Sequence, residues 1–431
     1  MRTPLAPLLA LAIVPLAACL SPRSAPAPAG APAGARDAGG VVIVNRPRVA
    51  GIVAPGVDVL FAGPLPEVLR GKRVGLITNH TGIDRGGGST ADRLAAPSSG
   101  MRLVALYGPE HGIRGTAAPG ERVEAGRDEK TGVPVHSLYG ETRKPTPAML
   151  EGVEVLVFDI QDVGARQYTY PYTMALAMQA AAEKGIPFVV LDRPNPVGGE
   201  IVEGNLLDTA FASFVGMYPI ASRHGMTVGE LARLFNREYR IGVDLTVVPA
   251  VGWKRSQWFD STGLPWLAPS PNLPTLESAT HYPGTVYLEG TNLTEGRGTD
   301  RPFEQTGAPW LRADTVVAVM NAMRLPGVRF EVAEFDVRPT AAKYPGQHLR
   351  GVRLVATDRG AYRPVATTLL LIDAVRRLHP DDFKWGGSID RLAGTDRVRK
   401  AIEAGTLREL LAEWDRDAER FRETRTPYLI Y

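Results

Sequence analysis

Glu110 and His111 stand side by side in the run LVALYGPEHGIRG (103–115), where an apolar segment of strand character stops at a glycine–proline break. A carboxyl and an imidazole placed together at a turn can hold, orient or pass a proton. Other short apolar runs end the same way. TNHTG presents Asn79 and His80, FDIQDVGARQYTY presents Asp159, Gln161, Asp162, Arg166, Tyr168 and Tyr170, and LDRPNPVGG presents Asp192, Arg193 and Asn195. Four runs therefore close on acids, amides and histidines, where a purely structural turn would be built of Gly, Asn and Ser.

Several chemistries have no support in these residues. There is no G-x-S-x-G elbow, no P-loop, no G-x-G-x-x-G after the first strand, no H-E-x-x-H and no cysteine cluster. His80, His111 and the Asp159/Asp162 pair are ligand types that suit several divalent ions, but their spacing is not diagnostic, so no metal or other cofactor is assigned. Carboxyl groups without thiol or nucleophilic serine point to glycosyl transfer to water. That reaction commonly needs one acid to protonate the leaving oxygen and a second group to attack or to activate water. The stretch ARQYTYPYT adds aromatic faces and hydrogen-bonding groups of the kind that hold sugars.

The elements that must position these groups alternate. KRVGLITN, MRLVALY, VPVHSLYG, VEVLVFDI, PFVVLD and DLTVVPA read as strands; PYTMALAMQAAAEKG and MTVGELARLFNREY read as helices, the first with Pro171 near its start and Gly185 at its end. This predicts an α/β domain, a Rossmann-like doubly wound, mostly parallel sheet, whose strand ends gather the polar groups at one edge. Residues 260 to 310 lapse into an irregular stretch rich in Pro, Gly, Thr and Asn. After it come a helix (ADTVVAVMNAM), two strands (RFEVAEFDV, GVRLVATD) and two helices, which predicts a smaller α+β C-terminal domain. The expected division is 56–277 and 278–431.

The start of the chain reads as export. Arg2 and the apolar run LAPLLALAIVPLA form a signal peptide over 1–18, and LAAC places Cys19, the only cysteine, where a bacterial lipoprotein is cut and acylated. Residues 19–50, rich in Pro, Ala and Gly, then serve as a tether. Leu20 after the cysteine favours outer-membrane sorting over retention. The expected protein is exported, faces the periplasm or cell exterior, and meets the membrane through its lipid anchor alone. A net charge of +3 with no basic run interleaved with aromatics argues against a nucleic-acid partner.

Taken together, GLITNHTGID, LYGPEHGIRG, VLVFDIQDVGARQYTY, LDRPNPVGG, the block SPNLPTLESATHYPGTVYLEGTNLTEGRGTDRPFEQTGAPW and the ending YLIY resemble the exo-β-N-acetylmuramidase (NamZ-like) family, from about residue 56 onward. The resemblance implies a Rossmann-like domain and a smaller C-terminal domain with the active cleft between them. It also implies release of terminal N-acetylmuramic acid from the non-reducing end of peptidoglycan fragments such as MurNAc–GlcNAc. On this basis Glu110 is the first choice for the catalytic acid and His111 orients it or touches substrate, while Asp162, Asp159 or Glu295 supplies the second group. Asn79, His80, Gln161, Tyr168, Tyr170 and Asn292 are expected sugar contacts, and one of Arg166, Arg297 and Arg301 is expected to pair with the lactyl carboxylate. A non-catalytic peptidoglycan-binding lipoprotein and a metal-dependent hydrolase are the rival readings.

Overall fold

A computed structural model describes residues 35–36, 40–44, 51–114 and 125–431. The expected signal peptide, Cys19 and most of the expected tether fall outside the described residues. Within the span expected to be tether, however, Ala35–Arg36 and Val42–Ile43 are short strands. Val42–Ile43 pairs in parallel with Leu245–Val248, and Val41 and Val44 are buried. Four consecutive apolar residues bury enough surface to bring that part of the chain onto the sheet.

The large sheet has nine strands in the order Ala35–Arg36, Val42–Ile43, Leu245–Val248, Phe188–Leu191, Val155–Asp159, Arg73–Thr78, Arg102–Gly108, Pro134–Ser137 and Gly126–Arg127. All pairings are parallel except the outermost one at each edge. Val155–Asp159 is buried at every residue, as a central strand covered on both faces requires. The chain order reverses between Arg73–Thr78 and Val155–Asp159, so their carboxyl ends form the switch point of a doubly wound sheet. Tyr170–Lys184 has Pro171 in its first turn and closes on Gly185 in the left-handed conformation. Val228–Glu238 starts with a complete capping box between Thr227 and Glu230, worth about 1 kcal/mol.

The second region carries a three-stranded antiparallel sheet, Gln305–Gly307, His348–Ala356 and Val328–Asp336, with helices Ala313–Ala322, Pro364–Leu378 and Leu407–Arg425. The supposedly irregular stretch before it contains a helix, Leu276–Thr285, that continues as a 3₁₀ turn over Val286–Gly290. Pro283 and Gly284 argue against that helix locally. Packing overrides them: a Cβ on Gly284 would lie 1.9 Å from the carbonyl oxygen of Pro364, so only glycine lets the two helices approach this closely. One apolar cluster runs from Ile77 and Phe158 through Tyr287 to Leu369 and Phe421, so both regions share a core.

Two further ties cross between the regions. Residues 427–431 return to the first: Tyr431 donates its hydroxyl to Asp192 Oδ2 (2.7 Å) and accepts the Ala250 N–H, while Ile430 N–H donates to Glu230 Oε1. Arg233 reaches the carbonyls of Pro427, Tyr428 and Leu429. Glu203, in the short strand Glu203–Leu206, accepts the Ala366 N–H at the first turn of Pro364–Leu378.

Burial pushes the Glu203 carboxyl up to about 7, with the Ala366 N–H and Arg223 opposing. A carboxyl whose folded pKa lies above its ordinary 4.5 binds its proton more tightly in the folded state, so the stability it contributes falls as pH rises from 4.5 through about 7 and is fully lost above that. Asp192, raised to about 6 by burial, acts in the same direction at lower pH. Between pH 5.5 and 8, Glu203 should therefore remove roughly 2 kcal/mol. Urea midpoints at the two pH values should differ accordingly, and Glu203→Gln should abolish most of the difference.

Candidate active site

A cavity of about 280 Å³ opens between the two regions. Its wall from the first region comprises Glu110, His111, Tyr139, Gln167, Tyr168, Thr169 and Val215; the facing wall includes Tyr282, Val286, Glu289, Arg297 and Phe303. Glu110 is delivered by the end of Arg102–Gly108, in a turn closed by the Gly112 N–H on the Pro109 carbonyl. His111 adopts φ +71° and Phe303 φ +65°, so two of the five described non-glycine residues in the left-handed region line this cavity. Strain of this kind persists only where the surroundings over-determine it.

Glu110 Oε2 accepts the Thr169 hydroxyl at 2.9 Å, and the Tyr139 phenol also contacts this carboxylate. Burial first, and then the Glu110 charge, push the Tyr139 phenol up to about 12, which keeps it a donor. Two hydroxyls therefore fix the position of this carboxyl.

Across the cavity, Tyr282, Val286 and Glu289 succeed one another at spacings of four and three residues and so share one helical face. Glu289 Oε1 lies 2.9 Å from Arg297 Nη1, which also faces Glu295 at 3.5 Å; Glu295 has a second cation, Lys343, at 3.0 Å. Burial raises the Glu289 carboxyl, Arg297 opposing and Glu295 adding to the shift. Burial alone would lower Arg297, but the two carboxylates outweigh it and hold the guanidinium firmly charged. A cation shared between two acids compensates neither fully. Since Glu295 alone also holds Lys343, Glu289 is the under-compensated carboxyl. Edge-to-face contacts run Tyr168–Tyr282 (5.8 Å) and Tyr282–Phe303 (4.9 Å), giving the cavity an aromatic side.

The polar residues expected at this edge divide into two groups. Glu110, His111, Tyr168 and Arg297 line the cavity. Those at the sheet's switch point satisfy one another instead. Asp159 is fully buried, held bidentately by Arg193 (2.5 and 2.9 Å) and by the Thr90 hydroxyl, which corrects its expected availability for catalysis. Asp162 accepts the Gly164 N–H and faces His224 Nε2 at 3.3 Å, and lies outside the cavity lining. Gln161 donates to the carbonyls of Asp162 and Pro194, and Asn79 caps Thr81. His80 is bound to the Ala268 carbonyl, and burial lowers its pKa; Tyr170 donates to the Pro269 carbonyl.

Four further expected residues lie away from the cavity lining. Arg166 is fully buried and donates to the carbonyls of Asn205, Ile220 and Ala393, so it staples the two regions together. Asn292 exchanges hydrogen bonds with Lys384 and Asp382. Arg301 pairs with Glu304 and is 43% exposed. Glu295 stands behind Arg297 without lining the cavity. Glu289 was not among the expected acids. Its signal was the 282–286–289 spacing, hidden by reading this stretch as irregular.

Comparison with known proteins covers nearly all of this frame. The domain descriptions "Exo-beta-N-acetylmuramidase NamZ, N-terminal" and "Exo-beta-N-acetylmuramidase NamZ, C-terminal" match residues 74–277 and 280–431. The chain is 50% identical over 382 residues to the peptidoglycan beta-N-acetylmuramidase NamZ of Bacillus subtilis (strain 168), covering 88% of this chain and 91% of that protein. Two solved DUF1343 family proteins from Bacteroides fragilis NCTC 9343 are also similar. One has a TM-score of 0.81 at 36% identity, covering 89% of this chain and 100% of that one. The other has 0.70 at 34%, covering 88% and 99%.

Proposed function

The chain belongs to the exo-β-N-acetylmuramidase NamZ family, and from that premise we propose that it is a glycoside hydrolase releasing N-acetylmuramic acid from the non-reducing ends of peptidoglycan fragments. The observation that carries this reading is a cavity to which each region contributes one carboxyl, Glu110 and Glu289. Two-carboxyl hydrolysis needs two distinct roles, and the surroundings of these two groups differ. Glu289, raised by burial, is the group that keeps its proton and gives it to the leaving oxygen. Glu110, oriented by the Thr169 and Tyr139 hydroxyls, stabilises positive charge at the anomeric carbon and directs the attack there. This reverses the role first expected for Glu110. The Tyr168–Tyr282–Phe303 side offers a face for the sugar ring.

Purified protein should release MurNAc from a chromogenic β-MurNAc glycoside and from MurNAc–GlcNAc, leaving internal bonds of longer glycans uncut. Binding without product would favour a lectin-like role instead, and loss of turnover on chelation a metal-dependent one.

The export signal and the acylated Cys19 belong to the same proposal, supported by the LAAC motif at residues 16–19. A substrate located in the cell wall fits an exported, membrane-anchored enzyme. Cys19→Ser should leave turnover unchanged and move the protein out of the membrane fraction; retention there would overturn the anchor.

A further inference from the structure

N-acetylmuramic acid differs from N-acetylglucosamine by a carboxylate, so an enzyme selective for it must offer an uncommitted cation. Arg297 does not qualify. Its guanidinium is already committed within the chain, to Glu289 at 2.9 Å and Glu295 at 3.5 Å. A further carboxylate arriving there would have to displace one of these partners, and Glu110 adds an acid to the same cavity.

Arg143 is different. Its guanidinium lies over two aromatic rings, 4.2 Å from the Phe214 centroid and 5.6 Å from that of Tyr139. Those rings pack against each other at 6.1 Å. No carboxylate among the described residues pairs with Arg143, whereas its neighbour Lys144 is paired with Glu183. Tyr139 lines the cavity and contacts Glu110, and Val215, next to Phe214, lines it too. Among the described residues this is an exposed guanidinium without a carboxylate partner, held over an aromatic shelf beside the reaction cavity. The ring contacts restrict the side chain and leave its N–H groups for a planar anion, at less entropic cost than a free side chain would pay.

We propose that Arg143 is the specificity residue that receives the substrate's carboxylate, which selects muramic acid over its uncharged analogue. The inference rests on the hydrolase reading above and adds the group that recognises the anion. Neither Glu110 nor Glu289 has to give up a partner for it.

The test compares wild-type protein with Arg143→Met, which preserves the apolar contact with the shelf, and with Arg143→Lys. Calorimetry with free MurNAc and free GlcNAc gives the preference of each, and kinetics on the chromogenic MurNAc glycoside give KM and kcat separately. A charge-assisted pair predicts a loss of MurNAc affinity of roughly 10- to 100-fold in Arg143→Met, with GlcNAc affinity unchanged. KM should rise by a similar factor at near-constant kcat, and Arg143→Lys should recover part of the loss. Equal weakening for both sugars, a variant that keeps the wild-type preference, or a wild-type protein with no preference each overturns the proposal. Protein that binds MurNAc selectively through Arg143 yet turns over nothing would sink the hydrolase reading alone.

Discussion

Glu289→Gln should lower kcat on MurNAc–GlcNAc by roughly 10²–10⁴-fold, and far less on an aryl glycoside whose leaving group departs without a proton. The asymmetry follows from the cavity. Burial raises the Glu289 carboxyl, and Arg297, shared between two acids, opposes that rise without cancelling it. Glutamine preserves the shape and the hydrogen bond to Arg297 but has no proton to give. Glu110→Gln should fall by a similar factor on both substrates, because charge at the anomeric carbon is needed whatever leaves. If the leaving-group dependence appears in Glu110→Gln instead, the two roles are exchanged. If neither variant loses activity, the pair is not the catalytic one. The basic limb of the kcat/KM profile should follow Glu289 and lie above the ordinary glutamate range.

The second large effect is on stability. Arg166→Met should cost about 4 kcal/mol, because it strips the donors from three buried carbonyls, those of Asn205, Ile220 and Ala393. For a chain of this size that is a fall in Tm of roughly 5–10 °C. Circular dichroism melts measure it directly. At a temperature where the variant is still folded, KM for the MurNAc glycoside should match wild type. An unchanged Tm with a raised KM would instead make Arg166 a substrate ligand.

How far the chain can be read in advance depends on what each signal reports. The uniformly apolar Val155–Asp159 run and the Pro171/Gly185 pair around Tyr170–Lys184 are local signals, and local geometry follows them. Glu110 was legible because it ends a strand on the edge where doubly wound sheets bind ligands. Asp159 ends a strand in the same way, yet its charge is consumed by Arg193 from the neighbouring strand end, 34 residues later. Nothing local distinguishes an acid aimed into a cavity from one aimed at an adjacent guanidinium. Glu289 was hidden for the opposite reason. Its helix contains Pro283 and Gly284, and it is packing against Pro364 that makes them tolerable.

Tyr431 docking on Asp192 has a kinetic consequence. The two are 239 residues apart, and Glu230 and Arg233 likewise await partners near position 430. Closing so long a loop is entropically costly and its reward comes late, so this contact belongs to the slow end of folding rather than to the nucleus. Until it forms, Asp192 at the end of its strand lacks one of its hydroxyl donors, and the parallel sheet remains incompletely locked. The first region should therefore not mature ahead of the second: the whole chain should commit to its native state, and leave it, as a single kinetic unit.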